Sequence, residues 1–270
     1  LGVEMDSILD FIDAADKSMY ANKRREEGAI PSYTDNKVVA GKTYNYIVKT
    51  VDFEKSSVDS APATNTFLSV PKITSISNTY TGVTISWDAV EGAQEYNIYR
   101  KIYGGNWALV TAVSAEEFTY TDTGATNGKL IYYAVRAVND TGISTYNARG
   151  ITYLTAPKLA HSNSASGIYL KWDLNSEAQS YWVYRKAGSE KYWTRIAVVT
   201  TNYYTDKNVK SGKTYTYTVK AYNGKIFSGY NTSGWTIKRL SAPKLKSISN
   251  SSHDGFFSKS GFSIIRFSLS

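Results

Sequence analysis

The chain contains no cysteine. That excludes disulfides, thiolate metal sites and a cysteine nucleophile. It has 2 histidines, His161 and His253, too far apart in sequence to suggest a histidine-based metal cluster. It lacks any apolar run of the roughly 18 residues that a membrane-spanning helix needs. A secretory leader is also missing from the N-terminus, where "LGVEMDSILDFIDAADKS" carries acids in place of a basic region and apolar core. The first residue is Leu and not Met, so the chain is expected to be a fragment or processed product, and the missing leader leaves localisation open. What is abundant is tyrosine: 23 Tyr against 9 Phe, a choice that suits half-buried sheet surfaces, where the ring packs and the hydroxyl stays wet. With 42% hydrophobic and 20% charged residues the chain is globular, and 270 residues suggest two or three domains. The net charge of +8 permits attraction to anionic polymers without selecting one.

Internal repeats organise the chain. Tyr33-Thr34-Asp35 recurs as Tyr120-Thr121-Asp122 and Tyr204-Thr205-Asp206. Each triplet is followed by a Gly-Lys turn and a strand: "GKTYNYIVK" from Gly41, "GKLIYYAVR" from Gly128 and "GKTYTYTVK" from Gly212. Pro71, Pro157 and Pro243 mark the repeat starts. Strands ending in Trp-Asp hold Trp87 and Trp172. Within a repeat, apolar and polar residues alternate strictly over short runs, as in half-buried antiparallel strands. Val83, Ile85 and Trp87 share one face; Tyr96, Ile98 and Arg100 share another, with Asn97, Tyr99 and Lys101 opposite; Tyr215, Tyr217, Val219 and Ala221 share a third. Several such strands per repeat predict tandem antiparallel β-sandwiches, a mainly β fold preceded by one α-helix.

These landmarks resemble the fibronectin type III family. The likeness rests on the tryptophans Trp87 and Trp172, the tyrosines Tyr96 and Tyr181, and the "G-K-T-Y-x-Y-x-V" strand. In style the repeats are similar to tandem modules in surface and secreted proteins of Gram-positive bacteria. The family's corner tyrosine falls on Tyr44 and Tyr215, while the middle repeat has Ile131 there and forgoes a hydrogen bond worth about 1 kcal/mol. The expected organisation is a helix at 1–31, the C-terminal half of a module at 32–69, and full modules at 70–155 and 156–241. A broken repeat with an irregular tail occupies 242–270, where "GFFSKSGFSIIRFSLS" departs in composition as a truncated, frame-shifted or unrelated end.

Before the repeats, Ile8, Leu9, Phe11, Ile12, Ala15, Met19 and Tyr20 recur at helical spacing, and Gly28 and Pro31 end the run. "ADKSMYANKRREEG" resembles the closing helix of GGDEF (diguanylate cyclase) domains over residues 8–27. The catalytic Gly-Gly-(Asp/Glu)-Glu-Phe signature is not in the chain, so no cyclase activity carries over.

No constellation in the repeats points to catalysis. Glu116-Glu117 reads as a solvated loop before a strand, and His161 as an exposed polar residue. The recurrent Asp35, Asp122 and Asp206 invite a calcium reading, but one acid per repeat does not supply converging oxygens. The simpler reading is that each ends a strand and bonds the next loop's backbone, as Asx turns do. Arg100, Lys101, Lys129, Arg136, Arg185, Lys186, Lys213 and Lys220 read as solvated strand faces, with salt-screened attraction to anionic wall polymer as the alternative. Specific nucleic-acid binding is not expected, because the cations recur module by module without a dense patch.

Aromatics carry the binding expectation. Trp107 and Trp193 hold matching places, with Tyr99, Tyr103, Tyr184, Trp182 and Tyr192 nearby. They either stack on sugar rings or pack across the outer sheet over Tyr and Arg stems. The sequence therefore reads as a non-catalytic, monomeric spacer or adhesion segment of a bacterial surface or secreted protein, without cofactor or metal. The first alternative is a carbohydrate- or cell-wall-binding module whose partner is wall polysaccharide or another surface protein. The second is a fragment or chimera linked to a cyclic-di-GMP signalling protein, which would place it in the cytoplasm. A half module exposes an open edge and half a core, so residues 1–69 are expected to be cleaved in limited proteolysis before 70–241. Equal resistance of the two segments would contradict this.

Overall fold

A computed structural model describes residues 32–50 and 55–243. The helix expected at 1–31, with its cyclase-tail resemblance over 8–27, and the tail from 244 onward lie outside the described residues. Every element among the described residues is a β-strand, and every pairing is antiparallel.

Strands β1 (Thr43–Tyr46) and β2 (Ala63–Thr66) form a two-stranded sheet. The first sandwich follows. One layer has the order β3–β4–β7, from β3 (Ile73–Asn78), β4 (Val83–Trp87) and β7 (Thr119–Asp122). The facing layer has the order β10–β8–β5–β6, from β5 (Glu95–Ile102), β6 (Ala108–Ser114), β8 (Leu130–Asn139) and β10 (Ala148–Thr152). The short β9 (Gly142–Ile143) also pairs with β8. The second sandwich repeats the plan. Its smaller layer is β11 (Leu159–Asn163), β12 (Ile168–Trp172) and β15 (Tyr203–Asp206). Its larger layer has the order β14–β13–β16–β17, from β13 (Ser180–Ala187), β14 (Thr194–Val199), β16 (Thr214–Tyr222) and β17 (Trp235–Lys238).

The alternating residues meet between the layers. Val83, Ile85, Tyr96, Ile98, Tyr133 and Val135 are buried in the first core, and Ile168, Leu170, Tyr181, Val183, Tyr217 and Val219 in the second. Trp87 packs against Tyr96 with ring centroids 5.6 Å apart, and Trp172 against Tyr181 at 5.4 Å. Buried tyrosines need partners for their hydroxyls. Tyr96 accepts the Val90 N–H at 2.7 Å, and Tyr181 accepts the Asn175 N–H at 2.7 Å. The corner tyrosines behave as the resemblance implied: Tyr44 accepts from the Val39 N–H at 2.9 Å and Tyr215 from the Lys210 N–H at 3.0 Å. Ile131 is fully buried in their place and offers no hydroxyl.

Two arginines depart from expectation. Arg100 and Arg185 are only partly solvated, their side chains 30% and 21% exposed. They turn inward and pair with the buried Asp122 and Asp206, each at 2.8 Å. Asp122 also accepts from the Tyr133 hydroxyl at 2.7 Å and the Gly124 N–H at 2.9 Å. Asp206 accepts from the Tyr217 hydroxyl at 2.9 Å and the Asn208 N–H at 3.0 Å. The Asx turn is therefore there, and it is one arm of a larger device. Asp35 shows the reduced form, bound by the Lys37 N–H at 2.8 Å and the Tyr46 hydroxyl at 3.1 Å.

The sandwiches are not independent beads. Leu68, in the linker before the first sandwich, is buried in that sandwich's core, and Leu154 is buried in the second. Glu91 lies over the Gly41 turn and Glu177 over the Gly128 turn, so that a Cβ on either glycine would collide with the glutamate. Asn127 and Asn175 exchange side-chain hydrogen bonds at 2.8 and 3.2 Å across the second junction, and Asn175 donates to the Thr155 carbonyl at 3.0 Å. On the other side Tyr80 meets Trp235 edge-on at 5.6 Å, and Gly229 approaches the Thr79 backbone so closely that no side chain would fit.

Burial, then Asp122 and Asp206, push Tyr133 and Tyr217 well above the ordinary tyrosine value of 10.0. A raised folded-state pKa gives stability that is full below the unfolded value and is lost as pH rises towards the folded one. Urea unfolding should therefore show stability constant to about pH 10, then falling by up to about 1.4 kcal/mol per pH unit for each of these tyrosines. Tyr217→Phe should remove one proton's share of that slope and cost about 1–2 kcal/mol at pH 8, where Asp206 loses a donor. An unchanged alkaline slope in the variant would contradict the assignment.

Candidate functional site

The larger sheet of each sandwich turns a second face outward. Along β5 the residues alternating with the core set are Asn97, Tyr99 and Lys101, and along β8 they include Tyr132, Ala134 and Arg136. On this face Tyr99, Trp107, Ala134, Arg136 and Tyr146 line a cleft of about 240 Å³. The second sandwich has a cleft of about 90 Å³ lined by Tyr184, Trp193, Thr218, Lys220 and Tyr230. Position by position the two sets correspond: tyrosine, tryptophan, a small residue, a cation and a second tyrosine.

Local structure explains how each wall is held. The β5–β6 ladder shifts register between Ile98 and Tyr99, and the β13–β14 ladder between Val183 and Tyr184. The extra residue is Val110 on β6 and Ile196 on β14, so in both copies the neighbouring strand bulges opposite the cleft tyrosine. The second tyrosine stands on a loop anchored two residues earlier. The buried Ser144 accepts the Ala137 N–H at 2.9 Å and donates to the Thr145 carbonyl at 2.8 Å. Ser228 repeats this with Ala221 at 3.0 Å and Gly229 at 2.7 Å. Tyr146 then meets Trp107 edge-on at 5.4 Å.

Cations sit against these rings. Lys101 lies 5.1 Å from the Trp107 centroid and Lys186 lies 4.4 Å from that of Trp193. Arg136 lies 5.9 Å from the Tyr146 ring and donates from Nε to the Ser144 carbonyl at 2.6 Å. Lys220 lies 4.2 Å from Tyr230 and 5.6 Å from Tyr184, and burial lowers its pKa. Among the described residues the ion pairs are Lys49–Asp59, Arg100–Asp122 and Arg185–Asp206, so no carboxylate reaches the cleft cations.

The structure brings Tyr99 to Trp107 and Tyr184 to Trp193. Trp107 packs against Tyr146 and Lys101, and Trp193 against Lys186. Trp182 and Tyr192 stand apart from the clefts. Trp182 meets Phe227 edge-on at 4.7 Å and lies under Arg195 at 4.3 Å, while Tyr192 is 84% exposed. Tyr103 is also exposed, at 71%. The residues that the sequence reading missed are Tyr146 and Tyr230. Their signal was the repeated Ser-x-Tyr-Asn at Ser144–Asn147 and Ser228–Asn231. His161 is half-buried on β11, and Glu116 and Glu117 form an exposed turn on Ser114. Among the described residues no cluster of acids and histidines could hold a metal ion, and no helix is long and apolar enough to cross a membrane.

Comparison with known proteins fits this picture. No protein-family model matches the chain. A protein named exoglucanase B from Cellulomonas fimi is 27% identical over 225 residues, which cover 70% of this chain and 19% of that protein. An amylopullulanase from Thermoanaerobacter thermohydrosulfuricus is 33% identical over 136 residues, 48% of this chain and 9% of the enzyme. The chain thus spans less than a fifth of the length of these curated relatives. Neither supports the cyclase-tail resemblance. Among solved structures, a two-domain fibronectin type III segment of chicken tenascin covers 62% of this chain and 98% of its own at 15% identity and TM-score 0.33. The chicken interferon gamma receptor alpha chain covers 63% and 98% at 16% identity and TM-score 0.38.

If Ser144 sets the Tyr146 wall, Ser144→Ala leaves the buried Ala137 N–H without its acceptor and should cost about 1–3 kcal/mol. Ser228→Ala should cost a similar amount, because Ala221 is equally buried. Urea midpoints of both variants check this, and midpoints equal to the parent's would contradict the anchoring role.

Proposed function

We propose that the chain is a non-catalytic spacer and adhesion segment of an extracellular bacterial protein, built to hold attached parts at a set distance and orientation. The observation that carries this reading is the repeated junction. A linker leucine sinks into the following core at Leu68 and again at Leu154, and a glutamate covers the preceding Gly-Lys turn at Glu91 and again at Glu177. Domains in one chain usually move relative to each other unless their interface is extensive. Contacts on two sides of the second junction, Asn127–Asn175 and Tyr80–Trp235, restrain both bending and twisting.

The relatives support the same reading. Both are named as enzymes acting on glucans, and the matched part is a minor fraction of each. A segment of that size beside a catalytic unit fits a spacing or attachment role. The same likeness supports an extracellular setting. A second reading, attachment to carbohydrate through the twin clefts, is favoured by their five matching residues and by the bulge shared opposite Tyr99 and Tyr184.

Nuclear-spin relaxation tests the spacer reading on the full chain. The two sandwiches should tumble as one body, with a common correlation time. Asn127→Ala with Asn175→Ala and Gly229→Val should uncouple them while each retains its own fold. Independent tumbling in the parent chain would sink the rigid-spacer reading.

A further inference from the structure

We propose that the twin clefts bind acidic polysaccharide, each taking one sugar ring against its tryptophan and that sugar's carboxylate against Arg136 or Lys220. This inference rests on the attachment reading above and adds the charge of the ligand to it.

The argument starts from how the protein treats its cations. Two inward arginines are met by a buried aspartate, Arg100 by Asp122 and Arg185 by Asp206, and a third, Arg239, is capped by the carbonyls of Ser164, Gly167 and Ala165. On the outer face the cations at the clefts meet aromatic rings instead. A cation over a ring is attracted by the ring's quadrupole, yet its positive charge is not neutralised. Arg136 spends Nε on the Ser144 carbonyl, and its remaining guanidinium donors make no hydrogen bond among the described residues. Lys220 is held between Tyr184 and Tyr230 with burial opposing its charge, and it forms no ion pair among the described residues. Such a site gains most from a ligand that brings the missing negative charge.

Shape narrows the ligand further. A volume of about 240 Å³ lies below the usual range for an enclosing small-molecule pocket, roughly 300–1,000 Å³, and the second cleft, at about 90 Å³, is smaller still. Open shelves of this size suit one ring of a polymer whose neighbours remain in solvent. The lining of each cleft includes one cation, Arg136 or Lys220, which suits one carboxylate per ring, while Lys101 and Lys186 lie over the cleft tryptophans. Recurrence in successive sandwiches allows one chain to engage both, so that two weak contacts add as avidity. The net charge of +8 draws such a polymer in before any contact forms.

Affinity electrophoresis of the full chain through gels containing polygalacturonate, its fully methyl-esterified form, or a neutral glucan tests the proposal, with polyglutamate as a sugar-free polyanion. Polygalacturonate should retard the chain and perturb its tryptophan fluorescence, and the effect should shrink as salt is added. The esterified polymer should bind on the order of tenfold more weakly, because the backbone is kept and the charge is lost. Trp107→Ala with Trp193→Ala, and separately Arg136→Gln with Lys220→Gln, should each weaken polygalacturonate binding by on the order of tenfold, with Trp→Phe at both positions retaining most of it. Equal binding of the acidic and esterified polymers would overturn the charge preference and leave the attachment reading standing. Binding to no glycan would overturn both. Polyglutamate binding as tight as polygalacturonate, with no tryptophan response, would reduce the effect to bulk charge and also overturn the proposal.

Discussion

The buried aspartate at the end of β7, and again at the end of β15, is the constraint on which the sandwich depends. Asp122 lies in the three-stranded layer, while its partners Arg100 on β5 and Tyr133 on β8 lie in the other. The carboxylate therefore ties the layers together at one point, and its contact with the Gly124 N–H also fixes the chain's exit from the strand. A buried charge is costly unless fully paired and hydrogen-bonded, and here each partner satisfies a different part of the cost. Such a network tolerates no slip. Moving β5 or β8 by one residue would send Arg100 or Tyr133 to the outer face and strand Asp122 in the core.

That register has consequences on the other side of the sheet. Strand periodicity couples the two faces, so placing Arg100 and Tyr133 inward also places Tyr99 and Ala134 outward. The clefts thus inherit their alignment from the core. They also inherit it twice, because Asp206, Arg185 and Tyr217 set the second sandwich by the same geometry. The junctions extend the order along the chain. A leucine given by the linker to the next core makes each sandwich incomplete without the segment before it, which couples neighbouring stabilities as well as positions.

Much of this was legible in the sequence, because it is local. Alternation exposed the strands, the repeated Tyr-Thr-Asp showed the period, and the corner hydroxyls of Tyr44 and Tyr215 followed from one strand motif. The cross-layer clamp was not read. An arginine among strand residues resembles a solvated one, and the aspartate that claims it lies some twenty residues on, in the opposite layer. The constant offset of Asp35 to Tyr46, Asp122 to Tyr133 and Asp206 to Tyr217 was its trace. The site was half legible for a similar reason. Tyr99, Trp107, Tyr184 and Trp193 could be grouped by recurrence, but Trp182 was grouped with them by proximity alone. It faces the same side as Tyr184, yet Phe227 from a distant loop captures it. Tyr146 and Tyr230 come from loops whose path depends on a serine bonding a neighbouring strand, which no periodicity records.

The two copies within one chain separate what the fold requires from what the surface does. Inside, Trp87 and Trp172, Tyr96 and Tyr181, and Asp122 and Asp206 are identical, while other core positions exchange one apolar residue for another, Val83 for Ile168 and Ile85 for Leu170. Outside, Ala134 becomes Thr218 and Arg136 becomes Lys220, and the cleft volume falls from about 240 to about 90 Å³. Thr218 donates its hydroxyl to the Asn231 carbonyl at 3.0 Å, the sign of the charge stays positive and the aromatic walls remain. A face that served only to cover a sheet would need neither a bulge opposite its tyrosine nor a buried serine to hold the other wall. Those two devices cost ladder pairing and a buried polar group, and each appears at the same place in both copies. The physical pattern is of one scaffold with a shared internal clamp, carrying a shelf whose volume differs between the copies and whose charge is kept.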